Sequence, residues 1–285
     1  MADTAHSPLA ASLQQAFSLT STGDSLTTTV DSSFSNAPEG LPPEKGFPFG
    51  GLLAALCVQA MRQGLGITAP LQTLNVQYLA AARYGEELEF RPRMLRDGRQ
   101  ITFASVEAGQ GERLTHSASG TFGINVEDAP ALYDRREVPT ALDSLPEGPG
   151  LHGPMAPRFA SQVEYRFING PNILGGNAER ARIERCWMRM RDGQPLDELR
   201  LCYLLDALYP PSWTGFQRPP MMTSIDLRYD FLTPATPQTA PNGWAYFEYS
   251  LIQHEGSWAL DDAVAWGADG TVLAAARQLR KVIGR

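Results

Sequence analysis

The sequence predicts an α+β chain in which one unit is written twice, each copy an apolar helix followed by a run of antiparallel strands. Three observations carry this. A Gly-rich entry, Phe49-Gly50-Gly51, leads into the run Leu52-Leu53-Ala54-Ala55-Leu56-Cys57-Val58-Gln59-Ala60-Met61, and a second apolar helical stretch covers residues 196–209. Strand-like segments follow each helix: 71–81, 86–94, 100–108 and 113–122 in the first copy, then 223–232, 244–253, 258–266 and 272–282 in the second. The turns recur as well, with Asp97-Gly98 and Gly109-Gln110-Gly111 answered by Glu255-Gly256 and Asp269-Gly270. A repeat of roughly 150 residues is too long for a solenoid unit. The reading is therefore two domains in tandem, 1–124 and 158–285, joined by a Pro/Gly-rich linker over 125–157.

Taken in order, residues 13–20 read as a short mixed strand and 25–30 as a Thr-rich one, with Thr22-Gly23-Asp24 as the turn between them. Asn36-Ala37-Pro38-Glu39-Gly40-Leu41-Pro42-Pro43 is a loop. The helix over 52–62 rests on good helix formers and on Gly64 as its stop. It is apolar nearly all round, which predicts burial under a sheet. Within 71–81, Leu74, Val76 and Tyr78 alternate with Asn75 and Gln77, the pattern of a half-buried strand. Between 125 and 157 the pattern lapses, because Pro130, Pro139, Pro146, Pro149, Pro154 and Pro157 interrupt any ladder; this linker should lie over the surface. The second copy opens with alternation over 159–167 and a turn-rich excursion through Asn169-Gly170-Pro171-Asn172 and Gly175-Gly176-Asn177. A strand over 178–189 and a turn at Asp192-Gly193 follow, and Pro195 starts the second helix, where its missing N–H is harmless.

Composition narrows the class. The chain has 285 residues, 43% hydrophobic and 19% charged, enough for two ordinary globular domains. With a net charge of -7 and no basic stripe, nucleic acid is not an expected partner. No apolar run reaches the ~18–20 residues of a membrane span. The first residues carry Asp3 rather than a basic cluster and no apolar region follows, so a cytoplasmic location is expected. Three cysteines, Cys57, Cys186 and Cys202, sit in apolar contexts and read as reduced and buried. The histidines, His6, His116, His152 and His254, lack metal-ligand spacing, so no metal site is expected. No cofactor is expected either: Gly175-Gly176 lacks the spacing of a phosphate loop or dinucleotide fingerprint. The absence of a G-x-S-x-G elbow argues against an α/β-hydrolase.

A helix wrapped by antiparallel strands, present twice, is a tandem (double) hot-dog. The pieces Phe49-Gly50-Gly51, Leu204-Leu205-Asp206, Thr223-Ser224-Ile225-Asp226 and Ala275-Ala276-Arg277-Gln278, in this order and spacing, make the chain resemble the thioesterase II (TesB-type) family of acyl-CoA thioesterases. The resemblance covers nearly the whole chain and implies acyl-CoA as substrate.

The two copies differ where chemistry could sit. Asp206 falls within the second apolar helix, where the first copy has about Gln59. A carboxylate there either caps another group or reaches solvent near Pro210-Pro211, or it works chemically. Ser224 stands at a strand start opposite Thr73 of the first copy, and Gln278 interrupts the last strand where the first copy has about Gly120. The resemblance implies that Asp206, Ser224 and Gln278 together hold a water for attack on the thioester. Neighbouring residues on a strand point oppositely, so only one of Thr223 and Ser224 can face the site, and Ser224 is the expected one. By analogy with hot-dog enzymes, Gly50 and Gly51 offer backbone N–H groups to the developing oxyanion, or else form a packing turn. Trp213 and Phe216, in the loop after the second helix, line an acyl channel or belong to the core. Arg277, Arg280 and Lys281 form the nearest basic cluster and would meet CoA phosphates or end a solvated strand. The first copy, without acid or amide, should be silent, leaving one active site per chain. Long strands with open ladders suggest a homo-oligomer. The alternative to an enzyme is a non-catalytic module that binds acyl-CoA or an acyl carrier.

Overall fold

The first helix, α1 (Gly50–Leu65), begins where Pro48 and the Gly50-Gly51 pair end an extended segment. It runs past the expected stop at Gly64 and ends at Gly66, whose φ of 66° is the left-handed conformation that closes helices. Gly64 has another duty: a Cβ there would lie 2.5 Å from Pro92 Cγ, so its smallness lets the helix press against a strand. The computed structural model that shows this describes residues 13–284 apart from 125–134, 139–140, 146–150, 152, 169, 172 and 174–182.

Twelve strands are described: β1 (Thr20–Thr22), β2 (Ser25–Thr28), β3 (Leu71–Tyr78), β4 (Leu88–Arg96), β5 (Ile101–Gln110), β6 (Arg113–Gly123), β7 (Val163–Phe167), β8 (Ile183–Met190), β9 (Met221–Phe231), β10 (Ala245–Glu255), β11 (Trp258–Trp266) and β12 (Val272–Gly284). They form one sheet in the order β1-β2-β4-β5-β6-β3-β9-β12-β11-β10-β8-β7. The halves join where β3 pairs antiparallel with β9, from Thr73 against Asp230 to Gln77 against Asp226. The sheet wraps α1 and the second helix, α2 (Glu198–Leu204), and one continuous core runs through both halves. This is the tandem hot-dog architecture.

Two expectations are corrected here. Residues 13–16 are helical rather than extended, which buries Leu13 and Phe17 one turn apart; the strand starts only at Thr20. The second helix is shorter than 196–209. Asp197 caps it, accepting from the Arg200 N–H at 2.8 Å, and the α-helical ladder stops at Leu204. Beyond it come tighter turns, Asp206 N–H to Tyr203 O and Ala207 N–H to Leu204 O, both 3.2 Å, so Asp206 lies past the helix end rather than within it. The Pro210-Pro211 pair bars any helix from continuing through it. Long ladders, the basis for expecting a homo-oligomer, pair across the halves through β3 and β9, and the sheet ends on the short β1 and β7.

A helix of seven residues whose last turn is buried needs partners for the carbonyls there and in the turn that follows. Tyrosine hydroxyls supply them: Tyr229 donates to Cys202 O at 3.1 Å, Tyr249 to Leu204 O, and Tyr165 to Ala207 O at 2.8 Å. The described residues within 135–145 lie over the outer face of the second half, while Pro154 and Ala156 accept from the Gly40 and Glu39 N–H groups of the first half. Val138, Leu142 and Leu145 pack on the cluster of Trp187, Trp244, Tyr246 and Trp266, and Arg136 holds Glu248 with two bonds of 2.6 and 2.8 Å. The strand expected over 178–189 is described from Ile183 onward; residues 178–182 and most of the turn-rich excursion lie outside the described residues. Cys57, Cys186 and Cys202 are free and buried. Among the described residues no helix is long and apolar enough to cross a membrane.

His116 on β6 is fully buried. The Thr115 hydroxyl donates to Ala108 O at 2.9 Å, so it must accept from His116 Nδ1, 3.0 Å away, and Nε2 is left as a bare acceptor without a partner. Burial pushes the imidazole down to about 4 from its ordinary 6.5. The unfolded chain therefore takes up a proton below 6.5 that the folded one refuses, and stability falls between pH 6.5 and 4, by a few kcal/mol on the order of 1.4 per unit. Thermal melting at pH 7 and pH 5 should show this loss, and His116→Leu should flatten it; an unchanged slope in the variant would assign the acid sensitivity elsewhere.

Candidate active site

The N-terminus of α1 has no cap of its own: Phe49 occupies the capping position and offers no side-chain acceptor. The missing acceptor comes from the other half of the chain. Asp206, 5% exposed, stands at this N-terminus, where the Gly51 N–H favours its ionised form. A Cβ on Gly50 would lie 2.9 Å from Asp206 Oδ2 and 3.2 Å from the Tyr78 hydroxyl, so the glycine makes room for the carboxylate. Tyr78 of β3 donates to Gly50 O at 2.8 Å and closes this corner from the first half.

The remaining polar groups come from the second half. Gln278 and Arg280 share the inner face of β12, 4% and 9% exposed, and Asp261 stands directly across from Gln278 on β11. The Gln278 amide donates to Ser224 Oγ at 2.5 Å and favours the ionised form of Asp206. Arg280 donates through Nη2 to Gln278 Oε1 and through Nε to Asp261 Oδ2 at 2.8 Å; its Nη2 is 3.6 Å from Asp206 Oδ1. Burial raises the Asp206 carboxyl above the usual aspartate range, while Arg280, Gln278 and the Gly51 N–H oppose the rise. Burial raises Asp261 too, against the pull of Arg280.

How Ser224 reaches the site is a matter of register. Leu227 and Tyr229 are buried on the inner face of β9, so strict alternation would turn residues 225 and 223 inward. A bulge intervenes: Leu279 pairs with Asp226, but Arg280 pairs with Ser224, leaving Ile225 as the extra residue. The shift turns Ser224 inward beside Gln278, and the Thr223 hydroxyl is directed instead at Ser224 O, 3.5 Å away.

The structure thus brings Asp206, Ser224, Gln278, Gly50 and Gly51 together. The Gly51 N–H, expected to serve an oxyanion, here serves the aspartate. Trp213 and Phe216 lie in the turn Pro211–Gly215 and just after it. Trp213 packs on the core with its Nε1 buried and unpartnered, and Phe216 is 43% exposed with its ring 5.3 Å from that of His254. The basic cluster is divided: Arg277 pairs with Asp262 on the outer face, Lys281 bonds Ser257, and Arg280 alone enters the site. Asp261 and Tyr78 escaped the sequence reading, which placed Arg280 only in a basic cluster for CoA phosphates or at a strand end. The i, i+2 spacing of Gln278 and Arg280 on one strand was the available signal for the arginine. Among the described residues no group of three His, Cys, Asp or Glu side chains converges as a metal set.

The opposite end of the helix pair is built differently. Arg62, in the last turn of α1, grips Glu198 at the start of α2 with bonds of 2.5 and 2.7 Å and donates to the carbonyls of Ile67 and Ala69. A cleft of about 430 Å³ lies beside this pair, lined by Leu71, Leu196, Leu201 and Phe231 among others. Of the first-copy counterparts, Gln59 is half-buried on α1, Thr73 faces Thr121 and Asp230, and Gly120 lies against Met61.

Comparison with known families gives the lineage. The acyl-CoA thioesterase N-terminal domain matches residues 37–123, and the acyl-CoA thioesterase C-terminal domain matches residues 139–280. The chain belongs to the acyl-CoA thioesterase family. No curated protein matches the sequence. Solved structures share the fold of this thioesterase-family chain from end to end. A hot-dog protein of unknown function from Alicyclobacillus acidocaldarius is 19% identical, with a TM-score of 0.82 over 95% of this chain and 98% of the other. The tesB protein of Mycobacterium avium is 16% identical, with a TM-score of 0.75 over 97% and 100%. The acyl-CoA thioesterase II TesB2 of Mycobacterium marinum is 17% identical, with a TM-score of 0.73 over 96% and 98%.

The closeness of Gly50 to the carboxylate has a measurable consequence. Gly50→Ala should force Asp206 or Tyr78 to retreat, at a cost of about 1–3 kcal/mol and several degrees of Tm. A melting temperature within a degree of the parent would show that the corner has room to spare.

Proposed function

We propose that the protein hydrolyses acyl-CoA thioesters to the free acid and CoA, by direct attack of water. One observation supports this above the rest: in a chain of the acyl-CoA thioesterase family, a buried carboxylate, a serine hydroxyl and a glutamine amide meet at the N-terminus of a buried helix. Ser224 is read as a holder of water rather than as a nucleophile, because the hydrogen bond described at its Oγ comes from an amide and, among the described residues, no histidine is hydrogen-bonded to it.

In this reading Asp206, ionised, accepts a proton from a water held by Ser224 and Gln278 as the water oxygen bonds to the thioester carbon. The positive end of α1 faces the negative charge that develops. The tetrahedral intermediate then expels the CoA sulfur, which takes the proton back from Asp206. The product acid leaves as a carboxylate, its proton passing to solvent. Raised basicity suits Asp206 to the role, since a base works best with its pKa nearer the working pH.

One site per chain is proposed. The pseudo-equivalent place, at the start of α2, holds the Arg62–Glu198 pair in place of a free carboxylate. Trp213 is proposed as a wall of the acyl channel on the strength of its position in the turn that follows Asp206.

A screen of acyl-CoA chain lengths, read by release of free thiol, tests the function directly. Asp206→Asn should lower kcat by at least ~10²-fold with little change in KM. The acid limb of kcat/KM should lie above the ordinary aspartate value of ~3.9, because the base must be ionised to act. Parent-level hydrolysis by the Asn variant would remove Asp206 from the chemistry. Binding of acyl-CoA without any thiol release by the parent protein would favour a binding module instead.

A further inference from the structure

We propose that Arg280 is a positioning residue of this site: bridging Gln278, Asp206 and Asp261, it fixes the orientation of the Gln278 amide and, with Asp261 as its counter-ion, sets the strength of Asp206 as a base. This rests on the reading of Asp206 as the base that activates water.

The geometry carries two parts of the argument. The first is direction. A guanidinium has donors only, so Nη2 beside the Gln278 amide must meet Oε1. That leaves the amide N–H groups for Ser224 Oγ, at 2.5 Å, and for Asp206. Ser224 then accepts from Gln278, and its own proton is free to point toward the reacting water. Without Arg280, Gln278 Oε1 would be a buried acceptor on a residue 4% exposed, and the amide would lose the contact that holds it from behind.

The second part is charge. One guanidinium stands between two buried carboxylates, bonded to Asp261 at 2.8 Å and 3.6 Å from Asp206. Arg280 stabilises the ionised form of Asp206; Asp261 opposes it, both by its own charge and by drawing the guanidinium toward itself. Asp261 is itself incompletely satisfied, since its Oδ1 is buried without a partner. The pair therefore acts as a balance: Arg280 keeps the base usable, and Asp261 keeps it from becoming too weak. The other titratable groups that face Asp206 are tyrosines. Tyr78 of β3, Tyr203 of α2, Tyr229 of β9 and Tyr249 of β10 are all held well above their ordinary range by burial, and each donates to a backbone carbonyl, so they stay neutral. His254 of β10 faces Asp261.

Opposite shifts in pH dependence test this. The kcat/KM profile for thioester hydrolysis is measured for the parent protein and for Arg280→Met, Arg280→Lys and Asp261→Asn. Losing the cation should move the acid limb up by about one pH unit or more. Asp261→Asn should move it down, because a like charge is gone and the guanidinium is released toward Asp206. Arg280→Lys, which keeps the charge but has no planar fork for Gln278 Oε1, should hold the limb near the parent position while lowering kcat. A residue that served the fold alone would lower activity or melting temperature without moving the limb in opposite senses. Unmoved limbs, or two limbs moving the same way, overturn the proposal. Should Arg280→Met fail to fold, Asp261→Asn and Arg280→Lys decide by the same criteria. A ¹³C-aspartate NMR titration, with the Asp206 signal assigned through Asp206→Asn, gives the same comparison without turnover. If the parent protein cleaves no thioester, the functional reading falls on its own, and the Asp206 midpoint in Asp261→Asn still judges Arg280: a lowered midpoint supports the proposal and an unchanged one overturns it.

Discussion

The approach of the Asp206 carboxylate to the Gly50–Gly51 start of α1 is the contact on which the site is organised. It answers two needs at once. An apolar helix with no capping side chain requires an acceptor at its start, and a carboxylate held away from water requires donors and a positive potential. Each half of the chain lacks what the other supplies, so helix entry and acid are complementary across the β3–β9 seam. Burial still wins over these compensations, since Asp206 titrates above an ordinary aspartate. The acid thus ends as a stronger base than it would be in water.

Placing that acid depends on a scaffold of phenols. A short helix that ends in the core would leave its last carbonyls unpaired. Tyr229, Tyr249 and Tyr165, reaching in from three strands, accept the cost of burial for their own hydroxyls and relieve that of the backbone. The turn bearing Asp206 is therefore gripped from several sides, and the carboxylate is aimed by the sheet rather than by its helix.

Most of the architecture was legible because hydrophobic period and turn residues agree along both copies. The strands after each helix lie within a few residues of where alternation places them, as over 258–266 and 113–123. Where reading failed, a non-local term had intervened. Gly64 looked like a helix stop and is a packing notch against Pro92. Asp206 looked helical because leucines surround it, but tyrosines from distant strands hold it in a turn. Ser224 was chosen over Thr223 by resemblance; alternation from Leu227 alone would have picked the threonine, and only the bulge at Ile225 reverses the order. Arg280 read as part of a surface cluster because its partner Asp261 lies across a strand pair, out of reach of any local pattern.

The two ends of the helix pair have parted ways, a carboxylate corner at one and the Arg62–Glu198 clasp at the other. Two identical single-unit chains related by a two-fold axis could not have arranged this, since symmetry would write every residue at both ends. Covalent fusion removes that bond between the copies. It lets one end tie the two helices together with an ion pair, while the other keeps a buried acid whose ionised form burial disfavours. Fusion here works as a division of labour between firmness and reactivity within a single fold.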